Sequence, residues 1–249
     1  GVHFLWKSGA TGKHHMPEIM GGGIAMIDID GDDDLDLYFV QGGSMFSTGE
    51  EQNANQLFIN NQGEFHNATS TSGVGDMGYG MGVSIGDYDN DGDPDLYVTN
   101  FGTDTLLQND GNGNFTDVTA SAGFTDESWT TGAVFFDYDK DGDLDLFVTR
   151  YLIWDQSKEF DCGVLFFGEH DYCSPNVYKS PLPDILYNNN GDGTFTDISM
   201  DSGISSATGF GLGIGIDDFN GDGFEDIFVA NDMSEHHLWI NLGNGRFIN

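Results

Sequence analysis

Positive charge is what this sequence has least of. Seven Lys and Arg stand against 42 Asp and Glu in 249 residues, a formal net charge of −35. Nucleic acid and anionic membrane surfaces are gripped through Lys and Arg, so that balance makes both poor partners, and no nucleic-acid partner is expected. Long hydrophobic runs are missing as well. No apolar stretch approaches the length needed to span a bilayer and no signal peptide is visible, so the chain reads as a mature or trimmed product. Cysteine is nearly absent, and both copies, Cys162 and Cys173, fall in one irregular segment. Zinc would need more ligands nearby, and neither Cys-x-x-Cys nor its haem-attaching extension with His occurs. Two readings of the pair remain: a local disulfide, which favours an oxidising compartment, or two buried free thiols. Disorder is excluded by what is present, 38% hydrophobic and 13% aromatic residues with 20 Phe.

The acids are not scattered. Four stretches repeat one spacing: Asp28–Asp36, Asp87–Asp95, Asp137–Asp145 and Asp218–Asp226. A generally acidic, salt-adapted surface would account for the charge but not for this register. Position one is Asp28, Asp87, Asp137 or Asp218, and position three is Asp30, Asp89, Asp139 or Asn220. Position five is Asp32, Asp91, Asp141 or Asp222, and position nine is Asp36, Asp95, Asp145 or Asp226. Alternating carboxylates on a tight loop supply the six to eight oxygens that calcium prefers, so up to four Ca2+ ions are expected, one per loop. Position seven holds Asp34, Asp93, Asp143 and Phe224; a phenylalanine has no side-chain ligand, so this position is expected to contribute its backbone carbonyl. Glycine turns the loop at position six except in the first copy, where Asp33 stands. An EF-hand would close with Glu at position twelve between helices. Here position twelve is Phe39, Val98, Val148 or Val229, which excludes it.

The loops sit in a longer repeat. Five residues before each is a glycine (Gly23, Gly82, Gly132, Gly213), then a short apolar run. After each loop comes a second run such as Leu96–Val98. A third ends in asparagine: Leu57–Asn60, Leu106–Asn109, Ile185–Asn188 and Leu238–Asn241. A turn rich in Asn and Gly and a Gly-x-Phe follow, leading to a fourth strand read as Phe115–Thr119 in the second blade and Phe195–Ser199 in the third. Short β-branched and aromatic runs favour strands, and four antiparallel strands in roughly 45–50 residues match a β-propeller blade. The expected fold is therefore all-β, one propeller domain over 1–249, with blades at about 20–72, 78–123, 129–200 and 209–249. The Gly-x-Gly pieces lead into a strand, not a helix N-terminus, so they are not phosphate loops. Extra length falls at 41–55 and at 151–183; the latter carries both cysteines and three of the five prolines and is expected on one face as a lid or partner-binding loop.

The loops, Gly9–Lys13 with Met16-Pro17-Glu18, Tyr172-Cys173-Ser174-Pro175 and Asn190–Phe195 together resemble the FG-GAP/VCBS repeats of integrin α-type propellers, and more closely the ASPIC/UnbV-type, cartilage acidic protein-like group. That resemblance implies a calcium-stabilised extracellular seven-bladed propeller, of which this chain supplies about four blades.

Function follows as an expectation: a non-catalytic, secreted or cell-surface module for adhesion, binding or assembly. Its partner is a protein or glycan outside the cell, or copies of itself joined through exposed end blades into filaments. The alternative is a polysaccharide-active lyase or hydrolase using His14, His15, His170, His236 or His237 with Glu18, Glu169 or Glu235. Asn67-Ala68-Thr69 and Asn114-Phe115-Thr116 are glycan-acceptor patterns.

Overall fold

The computed structural model describes residues 1–46, 54–163 and 170–249, with only the backbone at His170. The centres of the two insertions, 47–53 and 164–169, lie outside the described residues, and with them Glu169 and the His170 side chain.

Sixteen of the described strands form four antiparallel meanders. Sheet one comprises β1 (Ile24–Ile27), β2 (Asp36–Phe39), β3 (Gln56–Asn61) and β4 (Glu64–Asn67). Sheet two comprises β5 (Tyr79–Gly86), β6 (Asp95–Phe101), β7 (Thr105–Asn109) and β8 (Phe115–Asp117). Sheet three starts with β9 (Thr130–Phe136) and β10 (Asp145–Arg150). The insertion then contributes a small hairpin, β11 (Cys162–Gly163) with β12 (His170–Asp171), before β13 (Ile185–Asn189) and β14 (Phe195–Asp197) complete the sheet. Sheet four comprises β15 (Gly211–Asp217), β16 (Asp226–Asn231), β17 (His237–Asn241) and β18 (Phe247–Ile248).

Strand alternation assigns each apolar residue to one of two interfaces. In β6, Leu96 and Val98 join Ala25, Tyr38 and Leu57 of sheet one, whereas Tyr97 between them joins Leu146 and Val148 of sheet three. In β10 the partition repeats, with Phe147 turned to Ile227, Val229 and Trp239 of sheet four. Each such side chain contributes on the order of 1.5–3 kcal/mol through burial. The first strands of consecutive sheets meet edge to edge. A Cβ on Gly23 would lie 3.0 Å from the Cα of Gly82, and one on Gly82 would lie 3.0 Å from the carbonyl oxygen of Thr131. This close approach favours glycine at these two positions, and it relaxes along the series: a Cβ on Gly132 would lie 3.3 Å from the Leu212 carbonyl oxygen, and one on Gly213 would lie 3.6 Å from the Ala230 Cβ. Face-to-face sheets with their first strands side by side are the arrangement of propeller blades. Sheets one and four keep apolar outer faces: Ile24 and Met26 are exposed on one, Phe228, Leu238 and Ile248 on the other.

Two readings of the repeat need correction. The fourth strands stop at Asp117 and Asp197, not at residues 119 and 199. The Asp117 carboxylate accepts from both the backbone N–H and the hydroxyl of Thr119, which turns the chain into a one-turn helix, Thr119–Ala122. Asp197 and Ser199 do the same for Ser199–Ser202. The helix hydroxyl then accepts from the third strand, Leu106 N–H at 2.9 Å and Leu186 N–H at 3.0 Å. The third strand of sheet three runs one residue further than expected, and its terminal asparagine is Asn189 rather than Asn188, because Asn189 faces Phe195 as Asn109 faces Phe115.

The insertion crosses the end of the sheets opposite the acidic loops. Cys162 and Cys173 form a disulfide within it. Glu159 accepts from Met16 N–H at 3.3 Å, from Trp154 Nε1 and from the Tyr178 hydroxyl, and Asn176 donates to the Met233 carbonyl at 3.2 Å. The segment thus ties the N-terminal loop to sheet four over an apolar plug of Met16, Tyr79, Trp129, Tyr151, Leu152 and Phe210.

At that end each second strand finishes with its backbone N–H donating to the residue just before the third strand. The pairs are Gln41 to Asn55 Oδ1 (2.6 Å), Asn100 to Asp104 Oδ1 (2.8 Å), Arg150 to Asp184 Oδ1 (3.1 Å) and Asn231 to His236 Nδ1 (3.1 Å). Burial pushes the Asp104 carboxyl up to about 8 and the Asp184 carboxyl up to about 7. A carboxyl raised in the folded state binds its proton there and loses it on unfolding. Stability from this source is complete below about pH 4 and is lost as pH rises through about 7–8, at up to roughly 1.4 kcal/mol per pH unit for each group. Asp104→Asn copies Asn55, whose amide donates to the Tyr38 hydroxyl at 3.0 Å. Urea denaturation in chelator from pH 5 to 8.5 is expected to show a shallower loss of stability for Asp104→Asn than for wild type.

Candidate metal centres

Each acidic loop joins the first strand of a sheet to its second and is built on aspartate capping. The position-one carboxylate accepts backbone N–H groups from across the turn. Asp87 takes Asp91 N–H at 3.1 Å and Gly92 N–H at 3.0 Å, and Asp137 takes Asp141 and Gly142 N–H at 3.2 and 3.1 Å. Asp28 and Asp218 repeat this with Asp33 N–H at 2.9 Å and Gly223 N–H at 2.8 Å. The turn needs positive φ at position six: 96° at Gly92, 95° at Gly142 and 93° at Gly223. Asp33 adopts the same left-handed conformation with φ 70°, so the first loop keeps the shape despite its side chain.

Position nine is the centre of the unit. Asp36, Asp95, Asp145 and Asp226 are all at most 1% exposed, and each spends both oxygens on backbone N–H groups. One oxygen accepts from position two: Ile29 at 2.9 Å, Tyr88 and Tyr138 at 3.2 Å, and Phe219 at 3.1 Å. The other accepts from the asparagine that ends the third strand: Asn60 at 2.7 Å, Asn109 at 2.8 Å, Asn189 at 2.9 Å and Asn241 at 2.8 Å. Loop and third strand are thereby pinned to one buried carboxylate.

The structure brings together Asp28, Asp30 and Asp32 in the first loop, Asp87, Asp89 and Asp95 in the second, and Asp137, Asp139 and Asp145 in the third. In each trio one ligand atom per residue lies within 4.8 Å of the others. In the fourth loop Asn220 replaces one carboxylate, and its amide donates to Asp222 at 2.9 Å. Position-seven side chains turn outward. Asp34 accepts Gln62 N–H at 2.7 Å, Asp143 accepts the Asn90 amide at 2.7 Å, and the Phe224 ring carries the Lys140 ammonium 4.5 Å above it. Position five also caps: Asp32, Asp91, Asp141 and Asp222 accept the position-seven N–H at 2.9–3.0 Å.

Crowded acids in a partly dry setting resist ionisation. Burial pushes Asp95 up to about 7 and Asp145 up to about 8, and raises Asp36. Asp30, Asp89 and Asp139 are raised by burial and then by neighbouring carboxylates. A cation among them reverses that bias by favouring the charged forms.

Among the described side chains, the histidines considered for catalysis make the following contacts. His15 is buried with Nδ1 3.2 Å from Glu18 Oε1, which also accepts the N–H and hydroxyl of Thr11. His14 packs edge-on against Tyr172. His236 serves the strand cap described above, His237 is buried against Trp239, and Glu235 offers its backbone carbonyl to Asn231. The sequence reading missed the cap position altogether. Its occupants, Asn55, Asp104, Asp184 and His236, share only an acceptor atom at one place, which no residue-type pattern reveals.

A sheet of four short strands with an aspartate-capped turn after its first strand occurs four times among the described residues. The family model of the FG-GAP-like repeat matches residues 28–98 and 87–148, and those residues carry FG-GAP-like repeats. The chain is similar to cartilage acidic protein 1 from Xenopus tropicalis, 38% identical over 65 residues, which is 26% of this chain and 10% of that protein. It is similar also to cartilage acidic protein 1 from Homo sapiens, 37% identical over 60 residues, 24% of this chain and 9% of that protein. The aligned stretch thus spans about a tenth of the curated relatives it matches. A solved Agrocybe aegerita lectin, described as recognising non-reducing terminal N-acetylglucosamine, aligns with a TM-score of 0.46 and 18% identity over 90% of this chain and 50% of that one.

Removing the position-nine side chain strands two buried N–H groups, each worth about 1–3 kcal/mol. Asp95→Ala is therefore expected to lower the unfolding free energy by about 3 kcal/mol in chelator. Asp91→Ala, on the exposed rim of the same loop, is expected to change it by less than about 1 kcal/mol. Equilibrium urea denaturation of both variants checks this.

Proposed function

We propose that this chain is a non-catalytic extracellular binding and assembly module whose acidic loops hold calcium. The observation that carries the reading is the convergence of three aspartate oxygens in each of the first three loops. The donor set fits a hard cation. It is built of carboxylate oxygen, with a backbone carbonyl assigned at position seven and no thiolate or imidazole in the loops. In this reading Asp28, Asp30 and Asp32 with Asp36, then Asp87, Asp89 and Asp91 with Asp95, then Asp137, Asp139 and Asp141 with Asp145, hold the ions. Asp218, Asn220, Asp222 and Asp226 form a weaker fourth site with one fewer negative charge. The backbone carbonyls of Asp34, Asp93, Asp143 and Phe224 complete the four sets.

Calcium there acts as a structural clamp, neutralising carboxylates that otherwise repel one another at the end of every sheet. The Cys162–Cys173 disulfide and the likeness to cartilage acidic protein 1 support a place outside the cell. The apolar outer faces of sheets one and four support the assembly half of the reading.

A ligand that binds only the native state stabilises it by mass action, about 2.7 kcal/mol per site at a free concentration one hundred times the dissociation constant. Thermal melting in excess EDTA is expected to fall well below melting in millimolar calcium, and added calcium is expected to restore it. Identical melting curves in the two conditions would overturn the reading.

A further inference from the structure

The asparagine that ends each third strand does more than complete its own sheet. Asn109 Nδ2 donates to the carbonyl of Ile29, position two of the preceding loop, at 3.0 Å. Asn189 Nδ2 donates to the Tyr88 carbonyl at 2.7 Å, and Asn241 Nδ2 to the Tyr138 carbonyl at 2.8 Å. The same amides also bond their own loops at position eight: Pro94 at 3.2 Å, Leu144 at 3.0 Å and Glu225 at 3.2 Å. The amide orientation is fixed independently, because each Oδ1 accepts a backbone N–H two residues on, from Gly111, Gly191 and Gly243 at 3.2, 3.1 and 3.0 Å. These asparagines are at most 2% exposed, so no water competes for the bonds.

The connections run in series. A position-two residue gives its N–H to the position-nine aspartate of its own loop and its carbonyl to the asparagine of the next sheet. That asparagine gives its own N–H to the next position-nine aspartate. Tyr88 and Tyr138 are both links of this kind, so loops one to four lie on one unbroken path of buried hydrogen bonds. Surface contacts run parallel to it: Asn90 of loop two reaches Asp143 of loop three, and Lys140 of loop three covers Phe224 of loop four. Asn60 is the exception. Among its hydrogen bonds, the side chain gives its amide to Leu35 of its own loop at 3.1 Å and takes Gly63 N–H at 2.8 Å.

From this we infer that Asn109, Asn189 and Asn241 are positioning residues that couple the loops energetically, so that the sites fill cooperatively rather than one by one. This deepens the calcium reading and rests on it. A cation that fixes the position-nine carboxylate of one loop fixes, through the asparagine, the position-two carbonyl of the loop before it. Coupling of this kind is reciprocal, so the earlier loop favours the later one by the same factor. Entropy enters in the same direction, since a loop already ordered by its neighbour has less freedom to lose on binding.

Calcium titration by calorimetry tests it on the wild-type chain, Asn189→Ala and Asn60→Ala. The wild type is expected to bind with a Hill coefficient above one. Asn189→Ala, which cuts the path between loops two and three and leaves the Asn109 and Asn241 bridges, is expected to lower the Hill coefficient, with loops two and three weakened at least about fivefold. Asn60→Ala, which breaks bonds within one loop only, is expected to keep it. Hydrogen exchange on the wild type gives a reading that needs no variant: the amides of Ile29, Tyr88 and Tyr138 should gain protection at one shared calcium concentration. Protection at separate concentrations, a wild-type Hill coefficient of one, or unchanged steepness in Asn189→Ala would overturn the coupling while leaving calcium binding in place. No heat and no protection at any calcium concentration would overturn the calcium reading itself, and the coupling with it.

Discussion

A carboxylate placed in the dry interior with both oxygens claimed by backbone N–H groups is the interaction on which the rest of this structure depends. A nine-residue turn between two strands leaves amides that no neighbouring strand can reach, and burying them unpaired costs more than the turn can return. Asp36, Asp95, Asp145 and Asp226 answer that need. Each takes one N–H from the turn and one from the end of the third strand, so a single side chain closes the loop and fixes where the meander must return. The acidity of the chain is therefore partly internal architecture rather than a coat. The remaining loop acids stand on this frame, where their repulsion makes a cation the natural completion of the fold.

The two ends of the sheets divide the labour. At one end identical turns repeat with little variation, every cap an aspartate and every apex in the left-handed conformation. At the other end the connections differ from sheet to sheet, and a single disulfide-closed strap lies over an aromatic and methionine plug. The repeated end sets spacing and rigidity. The irregular end is where this chain departs from a plain repeat, with the His15 ring edge-on to Trp154 and the Glu159 cluster holding the strap in place.

Much of this was legible in residues alone, and for identifiable reasons. The strand runs were readable because sheets sandwiched on both faces demand continuous apolar stretches such as Leu96–Val98 and Leu146–Val148. The loops were readable because capping needs short acidic side chains at fixed places. The one-turn helices after Asp117 and Asp197 were not, because an Asx-type turn of two residues overrides the strand propensity of the Thr, Val and Ile around it. Asn189 was misaligned with Asn188 because three asparagines stand in a row and only pairing with Phe195 distinguishes them. The bridges between loops were beyond sequence reach, since the partners are backbone carbonyls about 80 to 100 residues away, such as Ile29 for Asn109 and Tyr88 for Asn189.

The position before each third strand has a wider consequence. Its geometry asks only for an acceptor within reach of one N–H, and the chain satisfies it with an amide at Asn55, carboxylates at Asp104 and Asp184, and an imidazole at His236. The backbone does not register the difference, but the proton does. A buried carboxyl that prefers its proton, as at Asp104 and Asp184, fails in base, whereas an amide is indifferent. Exchange of one acceptor type for another at this position therefore retunes the pH response of a single sheet without redesigning the fold.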